Sequence, residues 1–210
     1  MARRGFDVGV GRSYAEIEGL AASIRAFVAP GLQPAESLPG VELFERLDQM
    51  AVLLERRRIP LDYKVEEFPA GIDGETRHDK TRDRFIVTLA EHTYRGLEAN
   101  DGRARFSFAH ELAHAFLHAG VLLRLSRIPH EEAIALRRAE RDHDTCFDSE
   151  WQADSTASAL LMPAAGLELL AQVPGNLCTE VVSPHYDVSF KAAEVRISNF
   201  LKRRAQLTNL

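Results

Sequence analysis

The stretch Arg105-Phe106-Ser107-Phe108-Ala109-His110-Glu111-Leu112-Ala113-His114-Ala115-Phe116-Leu117-His118 decides how this chain is read. Phe106, Ala109, Leu112, Ala113, Phe116 and Leu117 recur at three- and four-residue spacing, which predicts one helix with a strongly apolar face. Within it lies His-Glu-x-x-His. At 3.6 residues per turn, His110 and His114 sit about 40° apart around the helix axis. Both imidazoles therefore reach one cation, at roughly 2.0–2.1 Å for zinc. Glu111 leaves the same turn about 100° from His110, which lets it address a water on the metal instead of the metal itself. That is the metalloprotease meaning of the motif. The same two histidines also fit a core pair hydrogen-bonded to backbone, so the five residues alone leave both readings open.

The rest of the chain bounds the choice. With 210 residues, 45% of them apolar, there is material for one sizeable core, and the composition argues against wholesale disorder. The net charge is −5, from 26 Lys and Arg against 31 Asp and Glu, which argues against direct nucleic-acid binding. Two cysteines, Cys146 and Cys178, make no disulfide framework. No signal-peptide run follows the basic N-terminus, and no apolar stretch has membrane-spanning length. The expectation is a cytoplasmic, soluble, reduced protein with no membrane association.

In chain order, residues 1–12 read as loosely held. Ser13 is a candidate cap for a helix to about Val28, with Ile17, Leu20, Ile24 and Phe27 inward. Prolines and glycines between Ala29 and Gly40 mark an irregular connection. A second helix is predicted over Val41–Arg58, with Leu43, Leu47, Met50, Ala51 and Leu54 inward and Pro60 ending it. The period then shortens. Tyr63–Phe68 and Arg84–Leu89 read as strands. Gly71–Glu75 and Arg77–Arg84 read as a solvated turn or long hairpin tip, and Arg95–Gly102 as a connection with Asn100 or Asp101 capping the motif helix. Gly120 is a candidate C-cap, and Pro129–Arg141 a charged, exposed helix. Asp148 is expected to cap a helix over Ser149–Leu161, which Pro163 interrupts; a short helix follows over Ala164–Ala171. A loop holds Pro174, Gly175 and Pro184. Ser189 caps a last helix through Gln206, with Val195, Ile197, Phe200 and Leu201 as core candidates. The division is an N-terminal helix and linker, 1–40, packed on a main domain, 41–210.

A catalytic zinc commonly has three protein ligands and an open position. The candidate third ligand is Glu150, in Glu150-Trp151-Gln152-Ala153-Asp154. Asp154 lies one turn on, on the same side, and is placed to hydrogen-bond the outer nitrogen of His110, which would fix its tautomer. Equally, the pair fits two surface carboxylates drawn to a helix N-terminus by its dipole.

At this point the chain resembles a known family. Arg105–His114 looks like the motif helix of the ImmA/IrrE metallopeptidases. Glu150-Trp151-Gln152-Ala153-Asp154 through Leu161-Met162-Pro163 is similar to their second signature, in which the Glu of a Glu-x-x-Ala-Asn/Asp helix is the third zinc ligand. Tyr186-Asp187-Val188-Ser189 with Arg196-Ile197 resembles a third, weaker one. The similarity spans roughly residues 41–204. Ala113 stands where the family often has Gly, and about 35 residues separate His114 from Glu150. The resemblance implies an α+β fold, a compact zincin-like metallopeptidase domain that is mostly helical with a small sheet beside the motif helix. It also implies a Zn2+ cofactor and an endopeptidase that cleaves a helix-turn-helix transcriptional repressor, switching on stress, mobile-element or phage-defence genes. The alternative is a catalytically silent binding module that sequesters a repressor.

In the peptidase reading, His110, His114 and Glu150 hold the metal, Asp154 supports His110, and Glu111 is the catalytic acid–base. One of the strands, Arg84–Leu89, pairs with an extended substrate. Cys146, in His143-Asp144-Thr145-Cys146, is a candidate inhibitory thiol for the open metal position. Tyr94, His185 and Tyr186 are the candidate oxyanion donors. His118 shares the histidine face of the helix but is read as a neighbour, not a ligand.

Overall fold

The computed structural model describes residues 5–129 and 143–207. Helix α1, Tyr14–Val28, opens on a capping box: the Ser13 hydroxyl accepts from the Glu16 backbone N–H, and the Glu16 carboxylate accepts from that of Ser13. Ile17, Ala21, Ile24 and Val28 form its buried stripe. Phe27, expected inward, is 51% exposed. At 100° per residue it falls about 80° from the line through Ile17, and it lies edge-on against Phe116 instead, ring centroids 5.9 Å apart.

The helix predicted over 41–58 does not form as one element. Only Gly40–Phe44, α2, is α-helical, followed by a 3-10 turn at Leu47–Gln49. Strands β1, Ala51–Leu54, and β2, Arg57–Glu66, then form an antiparallel hairpin. Its two-residue turn puts Glu55 and Arg56 at φ 49° and 74°, a conformation usually announced by Asn or Gly. Leu43, Leu47 and Met50 are buried as expected, but by a short helix, a turn and a strand entrance in succession. Pro60 sits inside β2; the parallel ladder with the next strand begins one residue later, at Leu61.

Strand β3, Gly74–Asp79, occupies part of the stretch expected to be a solvated turn. It pairs antiparallel with β4, Arg84–Ala90, giving the sheet order β1-β2-β4-β3. The inward residues of β3 are Thr76 and His78, so its alternation is polar against charged and carries no apolar signal. Strand β4 is central and buried from Phe85 to Ala90.

Helix α3, Glu91–Glu98, fills most of the expected connection, and Asp101 caps the motif helix α4, Gly102–Leu117. Gly120 is interior to α5, Ala119–Leu125, which follows α4 after a break at His118. The expected helix over 129–141 lies, beyond Pro129, outside the described residues. Asp148 caps α6, Ser149–Leu161, and α7, Ala164–Ala171, follows Pro163. Pro184, assigned to a loop, lies within α8, Thr179–Tyr186. In α9, Phe190–Leu207, the buried stripe is Ala193, Arg196, Ile197, Phe200 and Leu207; Val195 and Leu201 face outward, 47% and 52% exposed.

One apolar core runs through these layers, from Ile17 and Ile24 through Phe44, Phe85 and Phe108 to Leu160 and Phe200. Two buried guanidinium groups close the end of α6. Arg25 donates to the carbonyls of Leu160, Gln33 and Glu36, and Arg196 donates to that of Met162 while pairing with Glu18. They satisfy carbonyls that a helix terminus leaves without partners. No helix among the described residues is long and apolar enough to cross a membrane. The α4 N-terminus is set by close packing: a Cβ on Gly102 would lie 2.4 Å from the Ser189 nitrogen and 2.6 Å from the Val188 carbonyl carbon. Gly102→Ala should therefore lower stability by about 1–3 kcal/mol, the range for overpacking, read by denaturant unfolding; a change within 0.5 kcal/mol would contradict this packing.

Candidate metal centre

Two helices supply the site. On α4, Ala109, Leu112 and Ala113 are fully buried, which turns the adjoining face, with His110 and His114, toward α6. Ala153 and Ala157 on α6 are likewise fully buried, and these small side chains let the two helices lie close. Asp148 fixes the start of α6 by accepting from the Trp151 N–H at 2.9 Å. Glu150 thus sits in the first turn of α6, facing the two histidines.

His110 Nε2 and His114 Nε2 are 3.0 Å apart, and each is 3.5 Å from a different Glu150 oxygen. Ligand atoms around tetrahedral zinc at roughly 2.0–2.1 Å are about 3.3 Å from one another. Two imidazole nitrogens and a carboxylate at this spacing fit a shared divalent cation. These three residues are the group, among the described residues, that could hold one. Asp154 Oδ1 lies 2.8 Å from His110 Nδ1. A carboxylate only accepts, so His110 donates from Nδ1 and presents Nε2 as the ligand atom.

Glu111 points the other way, toward the sheet. Thr76 Oγ1 on β3 lies 2.7 Å from Glu111 Oε2 and 2.9 Å from the Glu111 carbonyl oxygen. Gly74 makes room for the side chain, since a Cβ there would stand 3.1 Å from Glu111 Cγ and 2.9 Å from the Thr88 carbonyl oxygen. These groups line a cavity of about 370 Å³, walled by Gly74, Glu75 and Thr76 on one side and by Gly5 and Phe6 on the other.

The last wall was not legible as such. Residues expected to be loosely held run antiparallel to 146–149: Val8 N–H donates to Phe147, Ser149 N–H to Phe6 and Arg12 N–H to Cys146. Gly5 approaches so closely that a Cβ would be 2.1 Å from Ser149 Oγ and 2.8 Å from the Glu150 nitrogen. Gly5, Phe6 and Thr76 belong to no motif; only the contact made by the folded chain reveals them.

Other expected site residues are placed elsewhere. Tyr94 Oη donates to Glu45 at 2.7 Å, His185 Nε2 to the Ala35 carbonyl and Tyr186 Oη to that of Pro34; none lines the cavity. Cys146 belongs to a 3-10 turn, Thr145–Phe147, and is neither in the cavity wall nor in the metal-capable group. Nearness to Glu150 in sequence does not carry its thiol to the site, because its backbone is held by Arg12 and Gln152.

Residues 97–198, from the end of α3 into α9, match the IrrE N-terminal-like domain of peptidase family M78. Over this segment the chain is similar to an IrrE-like peptidase domain. The match contains both helices of the candidate site and the Leu161-Met162-Pro163 element, in agreement with the resemblance drawn from the motifs, and the compact α+β fold is that of a zincin-like domain. No curated protein matches the chain.

Charge in the IrrE-like site is finely opposed. Burial disfavours an imidazolium at His110, but hydrogen bonds to Asp154 and Glu150 and the charge of Glu111 outweigh it and raise the group to about 10. Burial, helped by Glu150 and Glu75, pushes Glu111 up to about 7 against the pull of His110 and Thr76. Burial takes His118 down to about 4.

Two outcomes follow. Purified protein should hold close to one zinc, and Glu150→Ala should lose it on dialysis against a chelator; equal retention would exclude Glu150 as a ligand. The second concerns metal-free protein. A raised imidazole stabilises the fold fully below its unfolded value of 6.5, and that stability is lost as pH climbs toward 10. Glu111 and His118 act below about pH 7 and in opposite senses, since Glu111 loses its contribution as pH rises from 4.5 to 7 and His118 gains its own from 4 to 6.5. Tm of the metal-free protein should therefore fall between pH 7 and 10, and His110→Gln should flatten that slope. Parallel slopes would contradict the assignment.

Proposed function

We propose that the chain is a zinc-dependent endopeptidase acting on a protein substrate. The observation that carries this reading is the convergence of His110, His114 and Glu150 on one point, with Glu111 beside them and held apart from the ligand set. A bound zinc would polarise the scissile carbonyl and lower the pKa of water. The protein's own residues do the rest. Glu111, buried against Thr76, takes a proton from the attacking water and delivers it to the departing amine. Thr76 suits both states of that carboxyl group. It donates to Glu111 Oε2 when the group is charged; when Glu111 is protonated, Thr76 accepts from it and gives its own hydrogen to the Glu111 carbonyl, within reach at 2.9 Å.

The extended substrate is expected along β3. Strand β4, the sequence-based choice, is paired on both sides, by β2 and β3, and offers no free edge. Strand β3 is an edge strand, and its Gly74–Thr76 segment lines the cavity. The substrate class we favour is a helix-turn-helix repressor whose cleavage derepresses stress, mobile-element or phage-defence genes. Support comes from the family resemblance of the two signatures, and a cytoplasmic location would follow from such a partner.

Glu111→Gln separates this reading from sequestration without cleavage. The amide keeps the shape and cannot take a proton, so peptidase activity should drop about 10²–10⁴-fold or more with zinc retained. In cells the repressor should stay intact and its genes silent. Full derepression by a zinc-loaded Glu111→Gln protein, with the repressor uncut, would establish the binding module instead.

A further inference from the structure

We infer that His118 is a positioning residue for the metal centre, the outer partner of His114, in a chain of hydrogen bonds anchored on two backbone carbonyls. The inference rests on the metal-centre reading above and extends it to residues outside the ligand set. His118 is 1% exposed and Gln152 fully buried, so each polar atom of theirs has to find a partner inside the protein. Gln152 Nε2 donates to the carbonyls of Val10, at 2.8 Å, and Cys146, at 2.7 Å. Carbonyls only accept, so the amide orientation is fixed and Gln152 Oε1 is left facing His118 Nε2 at 3.3 Å.

The remaining protons follow one from another. Gln152 Oε1 accepts, so His118 Nε2 carries the hydrogen and its Nδ1 bears a lone pair. That Nδ1 is 2.9 Å from His114 Nδ1, which must then be the donor. With its hydrogen on Nδ1, neutral His114 presents the lone pair of Nε2 to Glu150 and His110, which is the form that binds a cation. His110 reaches the same state through Asp154, a carboxylate 56% exposed. The two ligands are therefore oriented differently, one by a charged group at the surface and one by a neutral, buried relay. The Val10 anchor also ties the relay to the N-terminal segment whose Gly5 and Phe6 wall the cavity, and the Phe6 ring lies edge-on to His118 at 6.4 Å.

The test uses the full-length protein with Co2+ and Zn2+ alone as probes. His118→Phe keeps a ring against Phe6 and removes both nitrogens; His118→Asn returns an acceptor near the Nδ1 position. Expected are a roughly 10–100-fold weaker metal affinity for His118→Phe in chelator competition, with a shifted visible Co2+ spectrum, and recovery of most of both in His118→Asn. Gln152→Met should move affinity and spectrum in the same direction by less. Circular dichroism of the metal-free proteins reports folding, and if His118→Phe does not fold, Gln152→Met decides. A His118→Phe or, in that case, Gln152→Met protein with the parent's affinity and spectrum would overturn the inference while leaving the metal centre in place. So would a His118→Asn protein no better than His118→Phe. A parent protein that takes up neither ion would overturn the metal centre and the inference together.

Discussion

A carboxylate from one helix has to meet two imidazoles from another, and the rest of the fold is arranged around that meeting. Glu150 can reach both histidines only if α4 and α6 lie close, which is why Ala109, Ala113, Ala153 and Ala157 are all fully buried between larger neighbours. The starts of the two helices are pinned independently. Asp101 caps α4 and Gly102 nests against the Val188–Ser189 backbone, while Asp148 caps α6 and accepts from Gly5 as well. Arg25 and Arg196 hold the far end of α6. Fixing both ends of α6 fixes the reach of Glu150, a precision that a shared cation demands.

Burial then sets the chemistry. The same low-dielectric surroundings that raise Glu111 keep His118 neutral. In the metal-free protein a carboxyl group brought up to about 7 changes its protonation readily at neutral pH, which suits the acid–base role proposed for it. Thr76 supplies that carboxyl with a partner from the edge strand, so the proposed general base and the proposed substrate-binding strand are coupled by one hydrogen bond.

The sequence was most informative where a residue's role depends on its helical neighbours. The His110, Glu111 and His114 spacing, the Asp101 and Asp148 caps, and the Glu150–Asp154 pair were all readable, because positions one turn apart on a helix face the same way whatever the tertiary fold. Strand β4 was legible almost to the residue and the end of β2 in part, but β1, the start of β2 and β3 were missed. The apolar positions Leu43, Leu47 and Met50 have a helix-like spacing that a short helix, a turn and a strand satisfy together, and the Glu55-Arg56 turn carries no Gly or Asn to give it away. Strand β3 hid because Thr76 and His78 are its buried residues. Gly5 and Phe6 reach the site from more than 100 positions away in sequence, through a backbone pairing that no local pattern encodes.

The donor set assigned to the metal is two imidazoles and one carboxylate, with no sulfur. X-ray absorption at the zinc edge of the loaded protein measures it most directly. Nitrogen and oxygen scatterers are expected at about 2.0–2.1 Å, with outer scattering from two imidazole rings. A sulfur scatterer at about 2.3 Å would place a cysteine on the metal and contradict the arrangement described.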